Sequence, residues 1–322
     1  MNSSLLLVTG ATGFIGFKVL LTALQEGWTV RAAVRSAFKA KYLSQHPKVA
    51  TFDTAKLSFV EVPDICDEQA YVEAVKDVTH IIHVASPVPL PFLDPITGVY
   101  KPNRKNIQAI LYAAAKSPSL KKLSFPRDLS RTIDADVRVP EIPGPFKTGV
   151  SAYWASKIAV TNAVDKFTEE SNPKFAIVLI FPGWVFGRDD RALSLQDFYN
   201  STNMVLLGVL TGRDDPEPRP AGVVDVSDTA KLHILALEDG APRNIGSSTP
   251  HEFAKAWDIV VKHFPNAVES GALKKGSQPT IPLLWDSSKT ETQFNFKFQS
   301  FEEIVLSTTS QYLELLDKEA KQ

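Results

Sequence analysis

Two rhythms of apolar residues run along this chain. Leu5–Thr9 is an unbroken apolar run closed by a glycine, which predicts a parallel strand covered on both faces. Phe14–Glu26 repeats its apolar positions at helical spacing and stops at Gly27. The two patterns then alternate. Strands are predicted at Thr29–Val34, Leu57–Val62, His80–Ala85, Lys122–Phe125 and Phe175–Phe181, and helices at Ala37–Ser44, Glu68–Val75, Arg104–Lys116 and Tyr153–Glu169. Such alternation predicts an α/β fold built on a doubly wound parallel sheet. Beyond Phe181 the pattern loosens and turn formers crowd residues 183–222. A short strand at Val223–Val226 leads into a helix over Ser227–Leu237, and further helices fall at Phe253–His263 and Phe301–Leu316. The expected organisation is a main domain over 1–182 and a smaller, interleaved C-terminal substrate lobe over 183–322. Strand 223–226 and helix 227–237 are open to assignment back to the main domain.

The 322 residues, 44% of them hydrophobic, can bury a large core. A net charge of −1 with no basic run gives no electrostatic support for nucleic-acid or anionic-membrane partners. No apolar stretch approaches the ~20 residues that span a bilayer, and Met1-Asn2-Ser3-Ser4 lacks the basic start of a secretory leader. Cys66 stands alone, which excludes a disulfide within the chain and points to a reducing, cytoplasmic setting. The six histidines fit no ligand spacing, so no metal is expected. His80 and His83, three apart on a strand, face opposite sides.

Chemistry enters with Gly10-Ala11-Thr12-Gly13-Phe14-Ile15-Gly16, which follows the first strand and opens the first helix. A G-x-x-G-x-x-G turn in that context is a dinucleotide fingerprint of the Rossmann type. Gly10 permits the turn, Gly13 lets the backbone approach a pyrophosphate, and Gly16 allows close helix–strand packing. The helix N-terminus supplies unpaired N–H groups for phosphate. The second strand ends in Val34-Arg35-Ser36, with Lys39 four residues beyond Arg35 and no carboxylate. Two cations there suit a 2′-phosphate, so NADPH/NADP+ is expected rather than NAD. Asp64, after the third strand, is placed to bond the adenine amino group, with Ile65 packing on the ring.

Tyr153 and Lys157 lie at i and i+4 and share a helix face. A nearby ammonium favours the phenolate and draws the phenol from its usual ~10 toward neutrality. Tyr153 is thereby a candidate general acid for a carbonyl oxygen that receives hydride.

With these residues the chain resembles the extended short-chain dehydrogenase/reductase superfamily. Within it, the likeness is to the branch of dihydroflavonol reductases, cinnamoyl-CoA reductases and fungal ketone and aldehyde reductases. The matching segments are Thr9–Gly16, Val34–Leu43, Val62–Ile65, His83–Pro87, Tyr153–Lys157, Phe181–Gly187 and Val224–Asp228. The resemblance implies NADPH-dependent reduction of a ketone or aldehyde on an apolar small molecule, in secondary metabolism, by a monomer or homodimer. It implies that Val84, Ala85 and Ser86 line the cofactor, that Pro182 and Val185 border the nicotinamide, and that Thr202 touches it.

One element breaks the pattern. Where the branch ends its fifth strand in Thr-Ser-Ser, with a serine to polarise the carbonyl, this chain reads Pro126-Arg127-Asp128. Asn106-Ile107 also replace a usual Gly-Thr pair on the preceding helix. Losing one oriented donor to a developing oxyanion costs ~10²–10³ in rate. Ser130 or Ser124 could take the place, Arg127 could serve as the electrophile, or net reduction could be weakened or lost. A site repurposed for a non-redox rearrangement, cyclisation or isomerisation, and a cofactor-binding protein with little or no turnover, are the alternatives. Tyr100, Trp154, Trp184, Phe186 and Phe198 are candidates for an apolar substrate wall or for ordinary packing.

Overall fold

The computed structural model describes residues 4–126 and 134–321. Its first half runs β1 (Leu5–Thr9), α1 (Phe14–Gln25), β2 (Thr29–Val34), α2 (Ala37–Gln45), β3 (Leu57–Glu61), α3 (Glu68–Ala74), β4 (His80–His83), α4 (Lys101–Ala115), β5 (Lys122–Pro126), α5 (Gly149–Ser171) and β6 (Ala176–Pro182). The second half adds β7 (Trp184–Phe186), α6 (Leu195–Tyr199), α7 (Asn203–Leu210), β8 (Arg219–Pro220), β9 (Val223–Asp225), α8 (Val226–Leu235), β10 (Asn244–Ser247), α9 (Lys255–His263), α10 (Pro265–Glu269), β11 (Thr280–Ile281), α11 (Ser288–Phe294) and α12 (Phe301–Ala320).

Seven strands form one parallel sheet in the order β10-β6-β5-β4-β1-β2-β3. The order reverses beside β1, which pairs with β2 on one side and β4 on the other. That reversal is the switch point at which doubly wound sheets hold ligands. Leu6, Leu7 and Val8 of β1 are fully buried, as the unbroken apolar run requires of a central strand. α1 turns Phe17, Leu20, Leu21 and Leu24 inward, at helical spacing.

Contacts divide the described residues into two compact units. One holds 4–126, 136–180 and 232–244; the other holds 134–135, 181–231 and 245–321. The second has its own core, in which Phe186, Phe198, Leu206, Val223, Phe253, Ile304 and Val305 pack together. Among the described residues, no helix is long and apolar enough to cross a membrane.

Two elements differ from the sequence expectation for physical reasons. α5 begins at Gly149, one turn before Tyr153, because Thr148 caps it: its side chain accepts from Ser151 N–H while Ser151 Oγ accepts from Thr148 N–H. β10 was not anticipated; Asn244-Ile245-Gly246-Ser247 carries one branched apolar residue and no alternation, and it is a strand because Leu179 and Gly183 donate to Arg243 and Ser247 carbonyls.

Candidate active site

The glycine turn is built at the C-terminal end of β1. Gly10 sits at φ +75°, and a Cβ there would stand 2.8 Å from Ala85 N. Gly10 O accepts from Gly13 N–H at 2.9 Å. A Cβ on Gly16 would lie 2.1 Å from Gly10 O, so only glycine lets α1 start this close to the strand. Gly13 opens α1 with no side-chain cap, which leaves the first-turn N–H groups to an outside acceptor. Ala11 is buried, while Thr12, Phe14 and Ile15 are half-buried around the turn. A cradle that a single methyl would fill fits the close approach of a pyrophosphate.

At the end of β2, Arg35 and Lys39 are exposed and neither is held in an ion pair among the described residues. Lys39 lies over the Tyr42 ring at 5.4 Å. Ser36 opens α2 without a side-chain cap. Two free cations at an open helix start suit a phosphate. Asp64 is exposed, with one carboxylate oxygen accepting from Cys66 N–H at 2.8 Å, and Ile65 is half-buried.

β4 leads into a buried polar network. Thr9 Oγ1 lies 2.9 Å from His83 Nδ1 and accepts from Ala85 N–H at 3.1 Å. Burial, with the charge of Lys157, holds His83 down at about 3, so its ring is neutral. On the other side of Ala85, Asn106 Nδ2 donates to its carbonyl at 2.8 Å and Tyr71 O–H donates to Asn106 Oδ1 at 3.4 Å. Ala85 is thus gripped by both backbone groups, which ends the strand at His83 rather than at Ala85 as the sequence predicts. Lys157, 7% exposed, donates to Ser86 Oγ at 2.8 Å. Ser86 donates to Asn103 Oδ1 at 2.6 Å, and Asn103 Nδ2 donates to Val99 O and Pro87 O at 2.9 and 3.1 Å. The Lys157 ammonium stands 5.0 Å from the centroid of the half-buried Tyr153 ring. His83–Ser86, Asn103, Asn106 and Lys157 line a cavity of about 20 Å³, room for one water.

The first unit therefore assembles Gly10–Gly16, Val84–Ser86, Tyr153 and Lys157 around the switch point. Pro182, Val185 and Thr202 belong to the second unit. There the Thr202 hydroxyl donates to the Val185 carbonyl, so it holds the backbone rather than standing free. Asn103 is the residue that sequence reasoning missed. Its only signal is its place three residues before Asn106, on the same face of α4.

The fifth strand does not restore the serine. Ser124 is in register with Ile82 and Val178, fully buried, and its Oγ has no partner among the described residues. It is not offered to a substrate in this arrangement. Arg127, Asp128 and Ser130 lie outside the described residues. Among the wall candidates, Phe186 and Phe198 are 0% exposed and belong to the core of the second unit. Trp184 stacks on Phe186 and donates to Pro220 O. Tyr100 packs on Phe146, and Trp154 is exposed.

Four further histidines and the thiol have local roles. His80 bonds Thr79 and packs on Trp28, His46 packs on Phe17, His251 accepts from Gly222 N–H, and His263 pairs with Glu302. Cys66 donates to Pro102 O, with its thiol pushed up by burial and by Asp64. No group of three or more His, Cys, Asp or Glu among the described residues could hold a metal.

Comparison with known proteins places this site in context. Residues 6–246 match the model of the NAD dependent epimerase/dehydratase family. A ketoreductase of Cercospora beticola is 32% identical over 350 positions that cover 99% of this chain and 98% of the relative. Those 350 positions exceed the 322 residues present, so the relative carries residues with no counterpart here. An NAD-dependent epimerase/dehydratase of Alternaria alternata is 30% identical, over 97% of this chain and 98% of the relative. Among solved structures, the yeast methylglyoxal/isovaleraldehyde reductase complexed with NADPH has a TM-score of 0.79 at 24% identity, covering 97% of this chain and 99% of that one.

Proposed function

Since the chain belongs to the NAD dependent epimerase/dehydratase family, we propose that it reduces a ketone or aldehyde on an apolar small molecule, with NADPH as reductant. The observation that carries this reading is the Lys157 ammonium, held by Ser86 and set 5.0 Å from the Tyr153 ring, beside the glycine turn. A binder with no chemistry has no need of a phenol paired in this way.

NADPH, when bound, supplies the hydride. The chain's own residues do the rest. The Gly10–Gly16 turn and the first N–H groups of α1 hold the pyrophosphate, with Ala11, Thr12, Phe14 and Ile15 around it. Arg35 and Lys39 neutralise the 2′-phosphate, and Asp64 and Ile65 receive the adenine. Val84, Ala85 and Ser86 would line the nicotinamide end, with the Ala85 backbone held by Thr9 and Asn106. Pro182 and Val185 would border the nicotinamide, with the Thr202 hydroxyl holding the Val185 carbonyl. Tyr153 gives its proton to the carbonyl oxygen. Lys157 favours the phenolate that remains and anchors the ribose. We assign the nucleotide part mainly to 1–182, with 232–244 joining it, and the substrate lobe mainly to the rest of 183–322, in a cytoplasmic enzyme of secondary metabolism acting as monomer or homodimer.

The test is calorimetry with NADPH and NADH, followed by NADPH oxidation against aromatic and aliphatic carbonyls. NADPH should bind at least tenfold tighter than NADH, a difference of ~1.4 kcal/mol. Arg35→Ala should remove most of that preference. Tyr153→Phe should abolish oxidation at unchanged NADPH affinity; full turnover in this variant would sink the assignment.

The burial of Ser124 favours one second reading. With Ser124 not presented to the carbonyl, the same pocket could serve a rearrangement, cyclisation or isomerisation with no net redox change. Product formed without NADPH consumption supports it, and one-to-one consumption excludes it.

A further inference from the structure

We propose that Gln311, on the C-terminal helix α12, is a positioning residue for NADPH: it pins the segment that runs from Val185 to Thr202 and so sets where Val185 stands at the nicotinamide end. This role rests on the reading above, in which Val185 borders the nicotinamide.

The segment is a loop closed on itself. At its two ends the Thr202 hydroxyl donates to Val185 O, and the next residue, Asn203, holds both groups of Gly187. Asn203 Oδ1 accepts from Gly187 N–H at 3.1 Å, and its Nδ2 donates to Gly187 O at 2.7 Å. Inside the loop, the Asp189 carboxylate accepts from Arg191 Nη2 at 2.8 Å. The same nitrogen donates to Asn200 O and Asp197 O, at 2.9 and 3.3 Å, at the end of α6. These bonds set the shape of the loop, and α12 sets its place.

Gln311, Glu314, Lys318 and Glu319 lie at i, i+3, i+7 and i+8, on one face of α12. Glu314 pairs with Arg188, Lys318 donates to Leu193 O, and Glu319 accepts from Leu195 N–H. These three side chains are exposed, and exposed pairs hold weakly. Gln311 is buried and grips one residue twice. Its Oε1 accepts from Asp189 N–H at 2.7 Å, and its Nε2 donates to Asp189 O at 2.8 Å. The amide has one orientation, because a flip would set oxygen against oxygen and donor against donor. Gln311 is 4% and Asp189 1% exposed, so water does not replace either bond. Without the amide, both Asp189 backbone groups are left unpaired in the interior, which costs more than losing an exposed pair. The residue must turn to find partners. Its carboxylate carries Arg191 and the end of α6 with it, and the shift reaches Val185 through Thr202.

The test uses the full-length protein and two ligands, NADPH and 2′-phospho-ADP-ribose. The second carries the same 2′-phosphate and pyrophosphate but no nicotinamide. Calorimetry gives both dissociation constants, and their ratio reports on the nicotinamide end. The wild type should bind NADPH the more tightly. Gln311→Leu, of similar size, should weaken NADPH by about 3–10-fold and the fragment by less than about twofold. Gln311→Glu serves if the leucine variant folds poorly. Its carboxylate sets an oxygen against Asp189 O, whereas its protonated form regains the donor. Its NADPH preference should be low at about pH 8 and recover toward the wild type by about pH 6, since burial raises a carboxyl. The charged groups around position 311 are Asp189, Asp190 and Arg191 on the loop, Arg188 with Glu314, and Tyr312 with Tyr199. Burial raises the Asp189 carboxyl, and the wild type titrated over the same range subtracts its effect. Equal weakening of both ligands by Gln311→Leu, unchanged NADPH affinity, or a glutamate variant whose preference does not move with pH overturns the role of Gln311 alone. A wild type that binds NADPH no tighter than the fragment overturns the placement of Val185. A wild type that binds neither overturns the NADPH reading itself.

Discussion

At Gly16 one methyl group decides whether the nucleotide turn can close. Its Cβ would sit 2.1 Å from Gly10 O and 2.5 Å from Gly10 C, both backbone atoms that no rotamer can move aside. Gly16→Ala should cost ~1–3 kcal/mol by overpacking and weaken NADPH binding more than tenfold; a thermal melt and a binding titration check both. An alanine variant that melts and binds like the wild type would show that the turn can relax. This glycine, like Gly10, Tyr153 and Lys157, was readable in the sequence because each is fixed by residue type and spacing. Asn103 was not. In Lys101-Pro102-Asn103-Arg104-Lys105-Asn106 it looks like part of a solvated helix face, and only the return of Pro87 and Ser86 from β4 turns it into a buried contact. Asn106 stood out as a substitution, but its bonds to Ala85 and Tyr71 come from elements far off in sequence.

Among elements, α5 shows how a cap serves chemistry. Thr148 and Ser151 satisfy each other's N–H groups at the start of the helix, one turn before Tyr153. Thr148→Ala should cost ~1 kcal/mol, which lowers the melting temperature of a chain this size by ~1–2 °C. The frayed turn should reduce kcat more than it weakens NADPH affinity, since the glycine turn lies on another element. The central strands and main helices were legible because their periodicity is long and unbroken. β10 was hidden because a four-residue strand with a central glycine has no period to read, and β7 is only three residues long. The end of β4 was overshot for a different reason. Val84 and Ala85 are strand-like in sequence, but Thr9 and Asn106 claim the Ala85 backbone for the site.

Over the whole molecule, buried imidazoles set the response to acid. Burial, aided by Lys121 and Lys122, holds His80 down at about 4; burial and Lys157 hold His83 at about 3; burial alone holds His251 at about 4. The unfolded chain takes up these protons near the ordinary 6.5, and the folded chain does not. Their contribution to stability is therefore complete above 6.5 and is lost as pH falls toward 4. Asp228 acts in the opposite sense, because burial raises its carboxyl to about 6. Folded protein takes that proton first, which adds stability as pH falls from about 6. Three groups against one leave a net loss on acidification, to be measured as the denaturant midpoint from about pH 7.5 to 4.5. His251→Gln should lessen the slope by close to one proton, and an unchanged slope would show that His251 is not held neutral. The discontinuous path of the chain has a consequence for biogenesis. Residues 232–244 return to the first unit only after 181–231 have been laid down in the second, and β10 covers β6 last of all. At ~5–20 residues per second of synthesis, the nascent sheet waits several seconds with β6 as a bare edge, open to pairing with another chain. The ribosome must have passed Ser247 before the seventh strand can complete the sheet.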